Sequence, residues 1–243
     1  MHAVECIPED FYSQTELIGI EFDDGDMTKL GHFLDLLLET NRSFNLTAIK
    51  EPGEGWTRHI LDSLSLLPVL SKEEAKHVIE IGSGGGLPGI PLAITMPETT
   101  FVLVEATGKK ADFLRTVVAE LELDNVTVAN ARAEDLGTKS GGFRDAADAV
   151  VARAVGPLNV LLELTVPFAK VGGVVVAIKG EQSQDEIEHA RKALHVLHAD
   201  VESTMRTTTG TIVVIRKNDH TPVKYPRIPG EPKRDPIGGK RKK

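Results

Sequence analysis

Cysteine is almost missing from this chain of 243 residues: Cys6 is the only one. A single thiol excludes an intramolecular disulfide and any paired-cysteine metal or redox motif, and it suits a reducing compartment. No apolar run approaches the length needed to cross a bilayer. The opening stretch MHAVECIPED is acidic and short of apolar residues, unlike a secretory leader. A cytoplasmic protein without membrane contact is therefore expected. Internal repeats are missing too. A P-loop is excluded, because no Lys-Ser or Lys-Thr follows the glycines of 82–89, and TGKKAD has no glycine at the required place before its Gly-Lys. No metal ligand is assigned.

What remains can build one sizeable core, since 41% of the residues are hydrophobic. The net charge of −8 is unevenly placed. From Arg216 onward ten Lys and Arg face three Asp and Glu, so this end is +7 and the preceding 215 residues sum to −15. The end is also rich in Pro and Gly, which predicts an extended arm. It is either a solubilising tail or a contact for the phosphates of a polyanion.

Short β-branched runs alternate with helix-length amphipathic stretches. Strands are predicted at 77–81, 100–105, 126–130, 148–153, 173–179, 200–206 and 211–216, and helices at about 89–96, 109–122, 156–169 and 183–198. This is the pattern of a mostly parallel sheet covered on both faces. Only TTTG separates the last two strands, too little for a crossover, so they should form an antiparallel hairpin. Residues 1–76 read as a helical subdomain. In it Leu30, Phe33, Leu34, Leu37 and Leu38 share one helix face, and a second helix runs over about 54–68. The expected division is 1–76 helical, 77–216 α/β and 217–243 basic tail.

Between the first strand and the first helix of the α/β region stands EIGSGGGLPGI, residues 80–90, with five glycines. Glycines there let backbone amides and a helix N-terminus approach a ligand closely. Two readings fit. Gly84, Gly86 and Gly89 match the dinucleotide pattern GxGxxG, with Glu105 placed to hold a ribose. Alternatively Glu80, Gly82, Gly84 and Gly86 form ExGxGxG, which resembles the first motif of the class I methyltransferases that bind S-adenosyl-L-methionine. There Glu80 would lie near the cofactor's cationic end, Glu105 would accept from the ribose hydroxyls, and ARAED (131–135) would supply an adenine-binding turn. Glu80 and Glu105 could equally be solvated strand ends.

A closer resemblance rests on seven blocks in order: NRSFNLTAI (41–49), RHILDSL (58–64), IGSGGGLPGIPLAI (81–94), GKKADFL (108–114), ARAED, VARAVGPL (151–158) and AIKG (177–180). Together they resemble the RsmG (GidB) family, bacterial 16S ribosomal RNA guanine-N7 methyltransferases, across about residues 25–240. The resemblance implies a Rossmann-like class I fold with a seven-stranded sheet. It implies S-adenosyl-L-methionine as cofactor and N7 of a guanine in the 530 loop of 16S ribosomal RNA as target; a monomer is expected, meeting this RNA either naked or within the small ribosomal subunit. Carried over by position, cofactor contacts fall on Gly82, Leu87, Ala133, Glu134 and Arg153, and active-site polar residues on Asn45, Arg132, Arg153 and Lys179. One departure is Gly210, where the family often carries an arginine. The alternatives are an NAD(P)-dependent oxidoreductase and a noncatalytic RNA-binding assembly factor.

The implied chemistry needs no general base, since N7 of guanine is an acceptor with an in-plane lone pair and can attack the sulfonium methyl directly. Alignment should then supply the rate. Arg153 and Lys179 end predicted strands, where α/β sheets bind ligands, and they would hold O6 and phosphates. For Arg153 the plain alternative is a buried ion pair, for Lys179 a surface lysine, and for Asn45 a turn cap. His59 reads best as a core-edge histidine, three residues from Asp62 on a helical stretch.

Overall fold

The computed structural model describes residues 2–153 and 155–239; the basic residues 240–243 of the tail lie outside them. Seven strands form one sheet in the order β3-β2-β1-β4-β5-β7-β6: β1 (His77–Ile81), β2 (Thr100–Val104), β3 (Val126–Ala129), β4 (Ala147–Arg153), β5 (Ala169–Lys179), β6 (Ala199–Arg206) and β7 (Thr211–Lys217). The first five are mutually parallel, and β7 runs antiparallel to both β5 and β6. The expected terminal hairpin is therefore present, with β7 inserted between β5 and β6.

Alternate residues of the central strands feed two cores. Val78, Ala149, Val151, Val174 and Val176 face one layer, while Ile79, Ile81, Val150, Val175 and Ala177 face the other. Burial on both faces is why these strands read as continuous apolar runs.

The helices are α1 (Phe11–Leu17), α2 (Asp26–Asn41), α3 (Pro52–Gly55), α4 (Asp62–Leu64), α5 (Leu67–Lys72), α6 (Gly89–Thr95), α7 (Gly108–Glu120), α8 (Ala133–Leu136), α9 (Leu158–Thr165), α10 (Ser183–Leu197) and α11 (Glu231–Arg234). On α2, Leu30, Phe33, Leu34 and Leu37 are fully buried, while Leu38 is half-buried. They belong to the same core as α6, α7 and one face of the sheet. The N-terminal helices are thus a layer of the domain rather than a unit with its own core. Trp56 anchors this layer, its indole N–H donating to the Ala3 carbonyl at 2.7 Å and its ring meeting Phe11 edge-on at 5.1 Å.

The helix expected over 54–68 is present from Pro52 only as far as Leu64, and its regular α pattern is broken within it. Between α3 and α4 the chain takes a π-helical turn, Trp56–Leu61, a deformation that often re-aims side chains at functional sites. The hydroxyls of Ser63 and Ser65 accompany the break by donating to the carbonyls of His59 and Asp62, both at 2.6 Å. Pro68 starts the next helix, α5, instead of ending the previous one.

The tail corrects another expectation, because through residue 239 it is a packed strap and not an extended arm. A boundary at 216/217 falls inside β7, where Lys217 is buried, its Nζ donating to Asp145 and to the Ala169 carbonyl. Arg227 makes a bidentate pair with Glu163 of α9, at 2.8 and 2.6 Å, and Glu163 has no exposed surface. Farther on, the Asn159 amide donates to the Ile237 carbonyl at 3.1 Å. A carboxylate buried in an apolar helix stays charged only with strong partners, and here the tail supplies a cation. Lys224, Lys233 and Arg234 remain exposed.

Candidate functional site

The glycine loop leaves β1 in a conformation open mainly to glycine: φ is +73° at Gly82, +54° at Gly84 and +83° at Gly86. It is fastened to the neighbouring strand, with the N–H groups of Gly82 and Ser83 both donating to the Val104 carbonyl at 2.9 and 3.1 Å. A Cβ on Gly84 would meet nothing closer than the Gly82 carbonyl at 3.8 Å, so the loop leaves a space above it that a side chain would fill.

Glu105 follows β2 and turns back into this cradle, accepting from Gly84 N–H at 2.9 Å and Thr107 N–H at 2.7 Å. Asn130, after β3, donates to the Glu105 carbonyl at 2.8 Å. Three strand ends thus share one rim. Leu87 and Ala133 are buried beside it, whereas Arg132 is exposed. Glu134 is buried and accepts from Gly230 N–H at 2.8 Å, so the tail strap closes on the α8 turn.

Glu80 is placed differently from a cofactor-facing acid. It is sealed beneath the loop, with Oε1 accepting from Gly89 N–H at 3.2 Å, and Oε2 and the Ser83 hydroxyl have no hydrogen-bond partner. Burial pushes its carboxyl up to about 8, against the opposing pull of the Gly89 N–H and the Arg153 charge. Gly89 must be glycine because a Cβ there would come within 2.4 Å of Glu80 Oε2 and 2.5 Å of Leu103. Its part in the dinucleotide-like pattern is accounted for by this close packing.

The second half of the site lies at the ends of β4 and β5. A cleft of about 210 Å³ is lined by Arg58, Asp62, Arg153, Lys179 and Thr209, among others. Arg153 donates to Asp62 Oδ2 and to the Arg58 carbonyl, each at 3.0 Å, and to His59 Nδ1 at 2.9 Å. Nδ1 also lies 3.0 Å from the Arg58 carbonyl; a guanidinium can only donate, so the Arg153 contact is made by the tautomer with the lone pair on Nδ1, whose Nε2 proton goes to Thr47 Oγ1 at 2.7 Å. Burial and the Arg153 charge bring His59 down to about 4, leaving it neutral at physiological pH. Asp62 is pushed up by its burial, opposed by the Thr209 hydroxyl that donates to Oδ1 and by Arg153.

Lys179 is no surface residue: it is buried, with Nζ 2.6 Å from the Gly156 carbonyl and 2.7 Å from Glu186 of α10. Gly210 packs on the same strand end, where a Cβ would fall 2.3 Å from the Lys179 carbonyl. No arginine fits at that position with this backbone. Asn45 is exposed on the wall of a separate, outer cleft of about 990 Å³. Its neighbour Leu46 touches the loop, 3.7 Å from where a Cβ of Gly85 would stand.

The structure therefore brings Gly82, Gly84, Gly86, Leu87, Glu105 and Ala133 to one rim and Arg153 with Lys179 to an adjoining cleft. Asn45 and Arg132 stand at the margins. Sequence reasoning missed Thr47, Arg58 and Thr209, and it kept His59 and Asp62 apart from the site. The block RHILDSL held the signal, since Arg58, His59 and Asp62 there stand among Ile60, Leu61 and Leu64.

A family profile described as rRNA small subunit methyltransferase G matches residues 26–214. The chain is similar to the ribosomal RNA small subunit methyltransferase G of Sorangium cellulosum, 46% identical over 90% of this chain and 91% of that one. It is also similar to that of Alkaliphilus metalliredigens, 39% identical over 90% and 94%. Among solved structures it resembles an O-methyltransferase from Bacillus cereus in complex with S-adenosylhomocysteine, with TM-score 0.58, 19% identity and 88% and 100% of the two chains covered. The O-methyltransferase TomG from Streptomyces achromogenes gives TM-score 0.57, 16% identity and 90% and 100% coverage. These last two likenesses concern the fold, a Rossmann-like methyltransferase sheet with its terminal hairpin. By profile and relatives together, the chain belongs to the rRNA small subunit methyltransferase G family.

Proposed function

We propose that this chain transfers a methyl group from S-adenosyl-L-methionine to N7 of a guanine in the 530 loop of 16S ribosomal RNA, within the small ribosomal subunit. Family membership supports ribosomal RNA methylation. The choice of N7 is supported by one observation: the cleft beside the glycine cradle is rich in donors, and among the described residues the acceptors nearest to it, His59 and Asp62, already carry hydrogen bonds. His59 Nδ1 is occupied by Arg153 and its Nε2 proton by Thr47, while both Asp62 oxygens are engaged by Arg153 and Thr209. A nucleophile that must lose a proton would have to compete with these partners for its acceptor. Guanine N7 has no proton to lose.

The residues present fit the cofactor. The open space above Gly84 takes its ribose and methionine portions, Glu105 has lone pairs for the ribose hydroxyls, and Leu87, Ala133 and Glu134 border the adenine. Bound there, it supplies an electrophilic sulfonium methyl. Glu80 acts from below, setting the loop through Gly89. Arg153 and Lys179 hold guanine O6 and phosphate oxygens away from N7, because the ring becomes cationic as the methyl arrives. Asn45 and Arg132 contact the RNA from the margins, and exposed Lys224, Lys233 and Arg234 add phosphate contacts. With no proton to move, the rate comes from alignment in a closed site.

The direct test incubates the purified chain with labelled S-adenosyl-L-methionine and small subunits lacking the modification, followed by nucleoside analysis of the RNA. The expected product is 7-methylguanosine at one 530-loop position. A methylated oxygen or exocyclic amine would overturn the base-free reading, and absence of transfer with intact cofactor binding would favour the noncatalytic assembly factor.

A further inference from the structure

A second cleft, also about 210 Å³, opens on the other side of the Asp62–Thr209 hydrogen bond, and these two residues line both clefts. It lies between α1, the π-helical turn and the turn joining β6 to β7. Two of the large apolar side chains exposed among the described residues line it: Leu17 is 85% exposed and Met205 39%. Its rim carries neutral donors and acceptors, Thr57 and Gln14, the latter accepting from the Thr208 hydroxyl at 3.3 Å. Exposed Arg206 stands at the edge. The wall is fixed, because Gly210 presses the hairpin turn onto the end of β5.

We propose that this cleft is a subsite for the nucleotide next to the methylated guanine. The inference rests on the preceding assignment of the Arg153–Lys179 cleft to the guanine. An RNA strand that places one base there brings its neighbouring nucleotides to the rim of that cleft, whose Asp62–Thr209 wall is shared with the second cleft, and a neighbour beside a withdrawn base loses its stacking partner. Single-stranded bases are held by surfaces that replace stacking, groups that pair with the base edge and cations on the phosphate. Leu17 and Met205 cover the base faces, Gln14 and Thr57 meet its edge, and Arg206 reaches the phosphodiester. A protein partner would need a far wider patch, whereas a nucleobase needs only this width and polarity.

The test is a cycle between protein and RNA. Affinities of wild type, Leu17→Asp and Met205→Asp are measured by fluorescence anisotropy with S-adenosylhomocysteine saturating. The ligands are a single-stranded heptamer with the target guanine central and two versions abasic at either flanking position. Each variant should bind the intact heptamer about tenfold more weakly. One abasic heptamer should cost the wild type the same factor and the variants nothing more. Leu17 is exposed, so folding is not at stake, and cofactor affinity should be unchanged. Equal losses on all three RNAs, no loss at all, or no heptamer binding by the wild type would each overturn the subsite. Methyl transfer to small subunits, run in parallel, separates the two claims: its absence would sink the guanine assignment, while transfer without coupling would sink only the subsite.

Discussion

The two halves of the site are built on opposite plans. At the ends of β1, β2 and the α8 turn, three acids, Glu80, Glu105 and Glu134, accept from backbone N–H groups of Gly89, Gly84 and Gly230. At the ends of β4 and β5, two cations, Arg153 and Lys179, donate to carbonyls and carboxylates brought from other elements. The first plan shapes a backbone cradle, which suits the small molecule proposed for it. The second holds positive groups in fixed directions, which suits recognition of a base edge and phosphate. Each can be broken without the other.

Gly84→Val should have the largest effect, since it fills the cradle and places a β-branched residue at positive φ. Titration calorimetry with S-adenosylhomocysteine should show binding lost, while circular dichroism shows the sheet retained. Normal binding would remove the cradle from the account. Arg227→Ala leaves Glu163 buried without its partner and should cost about 3–5 kcal/mol. Denaturant unfolding would show it, and a loss below about 0.5 kcal/mol would return the tail to a loose arm.

Asp62→Asn should reduce single-turnover methylation roughly 100-fold through misplacement of Arg153, with cofactor affinity unchanged. His59→Asn, which keeps an acceptor where Nδ1 stands, should retain more activity than His59→Gln. The reverse order would make Thr47, not Arg153, the partner that matters.

The smallest effect concerns pH. Because burial raises Glu80 to about 8, the folded protein holds a proton that the unfolded chain releases near the ordinary carboxylate range. Stability should therefore fall as pH rises from about 5 to 8, and Glu80→Gln should flatten that slope. Thermal melts across this interval would show parallel curves if Glu80 were ionised throughout.

Legibility in the sequence follows the same division. The strands, the hairpin and the glycine cradle are local patterns: apolar runs buried on both faces, a four-residue turn, and glycines at positive φ. In the cation half, Arg153 joins Asp62, His59 and Arg58 across 91, 94 and 95 positions, and no period or motif encodes such a pairing. The break at Trp56–Leu61 was hidden because a π-turn has ordinary helix formers. The tail was misread because its composition is that of a free arm, although Glu163 in the apolar run LLELT already called for a strong partner.

The central claim is that the cradle holds the cofactor and the cations hold the RNA. Lys179→Ala tests it most directly, by the single-turnover rate on unmethylated small subunits and the dissociation constant for S-adenosylhomocysteine in the same preparation. The account expects the rate to fall roughly 100-fold while cofactor affinity stays within about twofold. Equal loss of both would place Lys179 in the cofactor pocket and erase the division between the halves.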